Sequence, residues 1–362
     1  MKKQLCLILA LFCLQLYAQK PNPIENIIVI TTDGLRWQEV FKGADSAIVE
    51  DDHFNQFRKS GIYERFGGKT AEERRKKLMP FFWSQFLKGG SIYGNRGYGN
   101  FVNVKNPYWF SYPGYSELFC GFVDTLINSN HYKPNPNTNV FEFINEQQKF
   151  KDKVAFFGEW DAFDNILNKK RSKFTIVCGL NAGPQTGDST QSLLGRMKRE
   201  SYLPMDTDLV QDVFVHYEAM DYLKKKKPHV MYISYGETDE WAHEGMYLNY
   251  LVAANRVDKW LGDIWNYIQH DPQYKDKTAL LITVDHGRGD KEKKLWTSHK
   301  NTIAGSNEIW LGLICPGLPA MGEVKDKGQI YQQQMAETIA EILGLEFKCE
   351  HWVAPSIFKL KN

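Results

Sequence analysis

The 362-residue chain contains no CxxC pair, and only six cysteines in all. A cysteine zinc finger needs such pairs, so that class is not expected. Beyond residue 18 there is no apolar run near the roughly 20 residues that span a bilayer. Internal repeats and low-complexity linkers are also missing, which argues against solenoids and tethered modules. No sign of charge dominates: 45 Lys and Arg stand against 43 Asp and Glu, and Lys2 and Lys3 make up the difference. Without those two residues the chain is formally neutral, so there is no nucleic-acid-binding signature and no global attraction to an anionic membrane. The densest basic run, Lys224 to Lys227, reads as the end of a helix before Pro228, where cations meet the helix's negative pole.

The N-terminus reads as a secretory signal. Lys2 and Lys3 precede the apolar run Leu5–Leu16, and Leu16-Tyr17-Ala18 offers a small residue for cleavage before Gln19. A run of about 12 residues is too short for a membrane anchor. A lipid anchor at Cys13 would follow Phe12, where a small residue is needed. Residues 1–18 are therefore read as signal peptide and 19–362 as the mature chain, exported to the periplasm or secreted. In that oxidising setting Cys120, Cys178, Cys315 and Cys349 could form one or two disulfides, with three complete pairings open. Aromatics make up 14% of the chain and are read as core and cap packing.

Short runs rich in Ile and Val, without strict alternation, mark strands covered on both faces. They are Ile27–Thr31, Val154–Phe157, Phe174–Cys178, Val230–Ser234, Ala279–Val284 and Ile309–Ile314. Helices are predicted over Tyr247–Gln269, with an apolar stripe from Tyr250 to Ile268, and over Gln334–Leu343, closed by Gly344. Alternating strands and helices predict an α/β fold: a doubly wound, mostly parallel sheet sandwiched by helices. Residues 161–217 lack a steady period and read as a small cap insertion.

Three of these strands lead into acids: Asp33, Asp239 and Asp285. In open α/β sheets ligands bind beyond the carboxyl ends of strands. Asp239 and His243 are spaced i, i+4, which puts both on one face of a helical turn. Asp285 and His286 are adjacent and could converge from a turn, which Gly287 suits. His299 lies in Trp-Thr-Ser-His, outside any apolar period. Mixed Asp/His ligation suits zinc best, with manganese or iron as alternatives. His53, His131, His216, His229, His270 and His351 have no such setting and read as structural or surface residues. Ser111-Tyr-Pro-Gly-Tyr-Ser-Glu117 is the nucleophile candidate: Pro113 and Gly114 predict a bend, then a helix whose N–H groups can face an anion.

The order of these motifs resembles the alkaline phosphatase superfamily, and especially its nucleotide pyrophosphatase/phosphodiesterase branch. Thr32-Asp33-Gly34-Leu35-Arg36 is similar to that branch's Asp-Gly-x-Arg opening. Ser111-Tyr-Pro-Gly resembles its Thr-x-Pro-Asn nucleophile segment, and Asp239-x-x-x-His243 its Asp-x-x-Gly-His. Asp285-His286-Gly287 and His299 complete the series over residues 33–299. The resemblance implies two divalent metal ions, one held by Asp33, Ser111, Asp285 and His286 and the other by Asp239, His243 and His299. It also implies a substrate contact at Asn130. Two positions depart from the branch: serine replaces threonine at 111, and Ala242 replaces the glycine before the histidine.

The implied activity is hydrolysis of a small-molecule phosphoric ester through a phosphoseryl intermediate on Ser111, with the metals clamping the attacking and leaving oxygens. Whether monoesters or diesters are preferred is left open, and so is the oligomeric state. Arg36, Lys105 and Arg171 are candidate substrate contacts. A sulfatase is the nearest rival, but its formylglycine motif needs an arginine where Tyr115 stands. A phosphoglycerate-mutase-type enzyme would be cytoplasmic and carry a large inserted domain. A non-catalytic binding protein on the same scaffold would have lost a ligand, and none is lost.

Overall fold

A computed structural model describes residues 24–131, 133–180, 189–201 and 209–358. The segment read as a signal peptide, with its expected cleavage site before Gln19, lies outside the described residues. Among those described, no helix is long and apolar enough to cross a membrane.

The strands are β1 (Asn26–Thr32), β2 (Ser91–Tyr93), β3 (Asn100–Asn103), β4 (Val154–Gly158), β5 (Thr175–Cys178), β6 (Val230–Tyr235), β7 (Thr278–Thr283), β8 (Glu308–Ile309), β9 (Leu311–Ile314), β10 (Gly322–Glu323) and β11 (Gly328–Tyr331). Eight of them form the main sheet in the order β10-β2-β9-β7-β1-β6-β4-β5, and β11-β3-β8 form a small second sheet. β7, β1, β6, β4 and β5 are mutually parallel. Every residue of β1, β4, β6 and β7 is buried, as a sheet covered on both faces requires. The fold is thus the doubly wound α/β sandwich that the alternating runs predicted.

The helices supply the cover. Tyr247–His270 turns Tyr250, Ala254, Val257, Leu261, Ile264 and Ile268 inward, each contributing about 1–3 kcal/mol of burial. Its Asp258 accepts the backbone N–H groups of Phe81 and Phe82 at 2.8 and 2.7 Å. It thereby satisfies free donors at the start of the Pro80–Gly89 helix. The Asp212–Lys226 helix ends in Lys224–Lys226, with Lys227 left-handed before Pro228, as the basic run predicted.

Several expectations need correction. Ile309–Ile314 is not one parallel strand. It divides at the buried Trp310, whose indole N–H donates to Leu35 O at 2.9 Å; β8 joins the small sheet and β9 runs antiparallel to β7 and β2. An apolar run reports burial and not strand direction. The span 161–217 is not a single insertion over the sheet: β5 is the main sheet's edge strand, and Asp212 begins a helix packed on β4 and β6. Cys120, Cys178, Cys315 and Cys349 are all free thiols, three of them buried, so no disulfide joins them.

Candidate metal centre

β7, β1 and β6 are neighbours in the sheet, and each leads from its carboxyl end to one acid of the series. Asp33 follows β1 directly. Asp285 stands two residues beyond β7, and Asp239 lies in the first turn of the Glu237–His243 helix after β6. That helix is fastened to the end of β1: the Thr238 hydroxyl donates to Asp33 O at 2.5 Å and lies 2.9 Å from the Thr32 hydroxyl. Gly34 has a positive φ of 59°, and a Cβ there would lie 2.5 Å from Asp239 Oδ1. Glycine is therefore needed both for its backbone conformation and for the space it leaves.

Ser111 is the first residue of the buried Ser111–Cys120 helix. Pro113 and Gly114 lie within its first turn and do not form the bend read from sequence; proline is tolerated there because early helical N–H groups have no intrahelical partner. A Cβ on Gly114 would lie 2.5 Å from Asp285 O, so glycine lets the helix approach the strand end. Ser111 Oγ consequently lies 3.3 Å from His286 Nε2.

Two groups of ligand-type atoms converge, each within 4.8 Å: Asp33, Asp285 and His286, and Asp239, His243 and His299. In the first, His286 Nε2 is 3.2 Å from Asp33 Oδ1 and 3.4 Å from Asp285 Oδ2. The His286 Nδ1 atom lies 2.9 Å from Gly287 O, an interaction that turns Nε2 toward the carboxylates. In the second, His243 Nε2 is 2.9 Å from Asp239 Oδ2 and 3.1 Å from His299 Nε2. The groups adjoin, since the His286 and His299 rings stack at 3.8 Å between centroids.

These residues fit a pair of cations. Asp33 Oδ1 and Asp285 Oδ2 are buried, and apart from the His286 imidazole at 3.2 and 3.4 Å they meet no hydrogen-bond donor among the described residues. Such orphans are costly unless something electropositive meets them. Burial, together with the Asp33 charge, raises the Asp285 carboxyl well above its usual range. Burial acts to lower His286, but the Asp285 and Asp33 charges outweigh it and raise the imidazole to about 9. A site that draws in a proton so strongly would draw in a divalent ion in its place. Burial, with the neighbouring cationic groups His286 and Arg288, pushes His299 well down, leaving it neutral and able to donate a lone pair.

Asp33, Ser111, Asp239, His243 and His299 all open on one cavity of about 310 Å³. Asn130 is at its rim and accepts the Tyr112 N–H at 3.0 Å. Arg36, Lys105 and Arg171 are elsewhere: Arg36 is buried against Glu39, Lys105 lies over the Tyr331 ring, and Arg171 pairs with Glu142 at 2.7 Å. Buried partners claim long cationic side chains that sequence position alone leaves free. His216, read as structural, stacks on Trp260 at 4.8 Å.

The sequence reading missed two residues. Arg288, 1% exposed, contacts Asp239 Oδ1 and donates to the carbonyls of Trp296 and Thr297 at 2.9 and 2.5 Å. It directly follows Asp285-His286-Gly287, which was its one sequence signal. Glu159 follows β4 and lines the cavity; burial, with the Asp33 charge, raises it to about 8.

The model of the Metalloenzyme superfamily matches residues 207–303, a stretch containing Asp239, His243, Asp285, His286 and His299. No curated protein matches the sequence. Among solved structures, wild-type alkaline phosphatase PafA is similar at 10% identity and a TM-score of 0.59, over 92% of this chain and 98% of that one. The 2-O GAG sulfatase BT1596 is similar at 14% identity and a TM-score of 0.57, over 93% and 74%. The lipoteichoic acid synthase LtaP from Listeria monocytogenes is similar at 13% identity and a TM-score of 0.55, over 91% and 74%. At these identities the likeness concerns architecture and does not single out the phosphodiesterase branch: the chain has the metalloenzyme fold shared by alkaline phosphatases and sulfatases.

Proposed function

We propose that the chain is an exported two-metal hydrolase of phosphoric esters, with Ser111 as nucleophile. The observation that carries this reading is Ser111 Oγ, placed at the start of a buried helix, 3.3 Å from His286 Nε2, on the cavity that also exposes Asp33, Asp239, His243 and His299. Asp33, Ser111, Asp285 and His286 would hold one ion, and Asp239, His243 and His299 the other. Zn²⁺ suits this donor set best, followed by Mn²⁺ and Fe. When bound, the ions supply Lewis acidity that favours the serine alkoxide and offsets charge on the leaving oxygen. The Ser111 oxygen attacks phosphorus, the bond to the leaving alcohol breaks, and water later hydrolyses the phosphoserine. The helix start and Asn130 orient the phosphoryl group. Trp160 and Leu209 line the cavity on the side of Glu159.

The test is a rate comparison, with added Zn²⁺, on p-nitrophenyl phosphate, bis-p-nitrophenyl phosphate and p-nitrophenyl sulfate. One of the phosphates is expected to turn over fastest. A dominant sulfatase rate would transfer the chain to sulfuric esters, the second reading that the fold likeness to BT1596 brings. Tyr115 speaks against that reading: it stands where the formylglycine motif needs arginine, and its hydroxyl lies 3.1 Å from Asp33 Oδ2. Export rests on Lys2, Lys3, Leu5–Leu16 and Ala18. Mass spectrometry of the native protein is expected to find Gln19, or a near neighbour, at the N-terminus; an intact Met1 would refute it.

A further inference from the structure

β4 is the next strand after β6 in the sheet, and Glu159 stands at its carboxyl end. Four adjacent parallel strands, β7, β1, β6 and β4, thus deliver acids to one edge, but Glu159 differs from the other three. Among the described residues only two groups converge closely enough to hold an ion, and Glu159 belongs to neither. It is 3% exposed, lines the cavity, and its Oε2 has no hydrogen-bond partner among the described residues. The surroundings are built to hold that carboxyl. Val210 N–H donates to Glu159 O at 3.0 Å, and Trp160 pairs with Leu209 in an isolated bridge. A Cβ on Gly236 would lie 2.4 Å from Glu159 Cγ and 2.8 Å from Oε1, so Gly236 leaves the room it occupies.

The wall beside Glu159 carries Trp160 and Glu240, and no Lys or Arg lines the cavity among the described residues. The sequence stretches 181–188 and 202–208 contain no Lys or Arg either. A substrate whose alcohol portion carried further negative charge would find no partner here. A buried carboxyl group beside an indole suits a positive charge, which favours the ionised form of the carboxyl while the ring adds cation–π attraction.

We propose that Glu159, with Trp160 and Glu240 beside it, selects phosphoric esters whose alcohol bears a positively charged amino or ammonium group. The proposal rests on the phosphate-ester reading above and names the substrate class of that same site. Asp33 and Asp239 would be taken up by the metal ions, whereas Glu159 faces the cavity outside both clusters and meets the organic cation. The cation would meet Glu159 Oε2, which has no hydrogen-bond partner among the described residues.

The test is calorimetric titration of the metal-loaded full chain with phosphocholine and with 3,3-dimethylbutyl phosphate, which has the same shape without the positive charge. The wild type is expected to bind phosphocholine roughly tenfold more tightly. Glu159→Gln should bring the ratio of the two affinities close to one, and Glu240→Gln should reduce it by a smaller factor. Equal binding of both ligands by the wild type overturns the proposal, as does an undiminished ratio in folded Glu159→Gln. If Glu159→Gln does not fold, the wild-type ratio and the half-buried Glu240→Gln decide. Turnover of p-nitrophenyl phosphates, measured in parallel, separates the two readings: hydrolysis without selectivity removes only the cation site. Absence of hydrolysis of every phosphate ester removes the hydrolase and this proposal with it.

Discussion

Ser111→Ala is expected to lower phosphate-ester turnover by roughly a thousandfold or more, while the protein keeps its fold and most of its metal. The oxygen proposed to attack is lost, but Asp33, Asp285 and His286 still converge without it. The substituted position begins a helix, where alanine keeps helical geometry and removes one hydroxyl. Ser111→Thr should retain partial activity, because it restores a hydroxyl on the same carbon at the cost of an added methyl. Ser116→Ala provides the contrast. Its hydroxyl accepts from Asn135 at 2.9 Å inside the helix packing, so its loss should cost stability of about 1 kcal/mol and little turnover. Circular dichroism, elemental analysis and steady-state rates on the three variants check this. Turnover by Ser111→Ala within a few-fold of wild type would mean that water attacks phosphorus directly or that another group does. Formylglycine at position 111, found by peptide mass, would move the chain to the sulfatases.

Arg288→Met should weaken binding of one metal by about ten- to a hundredfold and lower stability by about 3 kcal/mol. Arg288 is a positioning residue for both ends of the second cluster. Its guanidinium contacts the Asp239 carboxylate directly, and it holds the Trp296 and Thr297 carbonyls, three and two residues before His299. Methionine preserves much of the volume but strands the buried Trp296 carbonyl, at a cost of about 1–3 kcal/mol, and the partly buried Thr297 carbonyl, at less. Arg288→Lys keeps the charge but loses the planar fork, so it should recover only part of the affinity. The readout is a metal titration alongside thermal unfolding. A purely structural role would lower the unfolding temperature and leave the affinity of the folded protein unchanged, and that outcome would contradict the assignment.

Much of this architecture was legible in the sequence for one physical reason. β1, β6 and β7 are buried on both faces, so their residues are mostly apolar, and the charged residues that follow stand out. Asp33, Asp239 and Asp285 could be picked because each interrupts such a context, and two of them have histidines at spacings that a turn or helix brings together. The rest depended on contacts between distant segments. Glu159 follows an equally apolar strand but has no histidine near it. Arg288 reads locally as a surface cation, and only the packed loop from Trp296 to His299 shows why it is buried. Ser91–Tyr93, Asn100–Asn103 and Gly328–Tyr331 are too short and too polar to register as strands, so the antiparallel part of the sheet and its small companion went unseen. Pro113 and Gly114 carry turn signals in isolation. They belong to a helix because Gly114 must lie against Asp285 O, a constraint from residues far along the chain.

The number of metal ions bound tests the account most directly, because both clusters and the role of Ser111 depend on it. Elemental analysis of protein purified without chelator should find two transition-metal equivalents per chain. Asp239→Ala and Asp285→Ala should each lose one. Fewer than one equivalent in the wild type, with no phosphate-ester turnover gained on adding Zn²⁺ or Mn²⁺, would contradict the two-metal hydrolase.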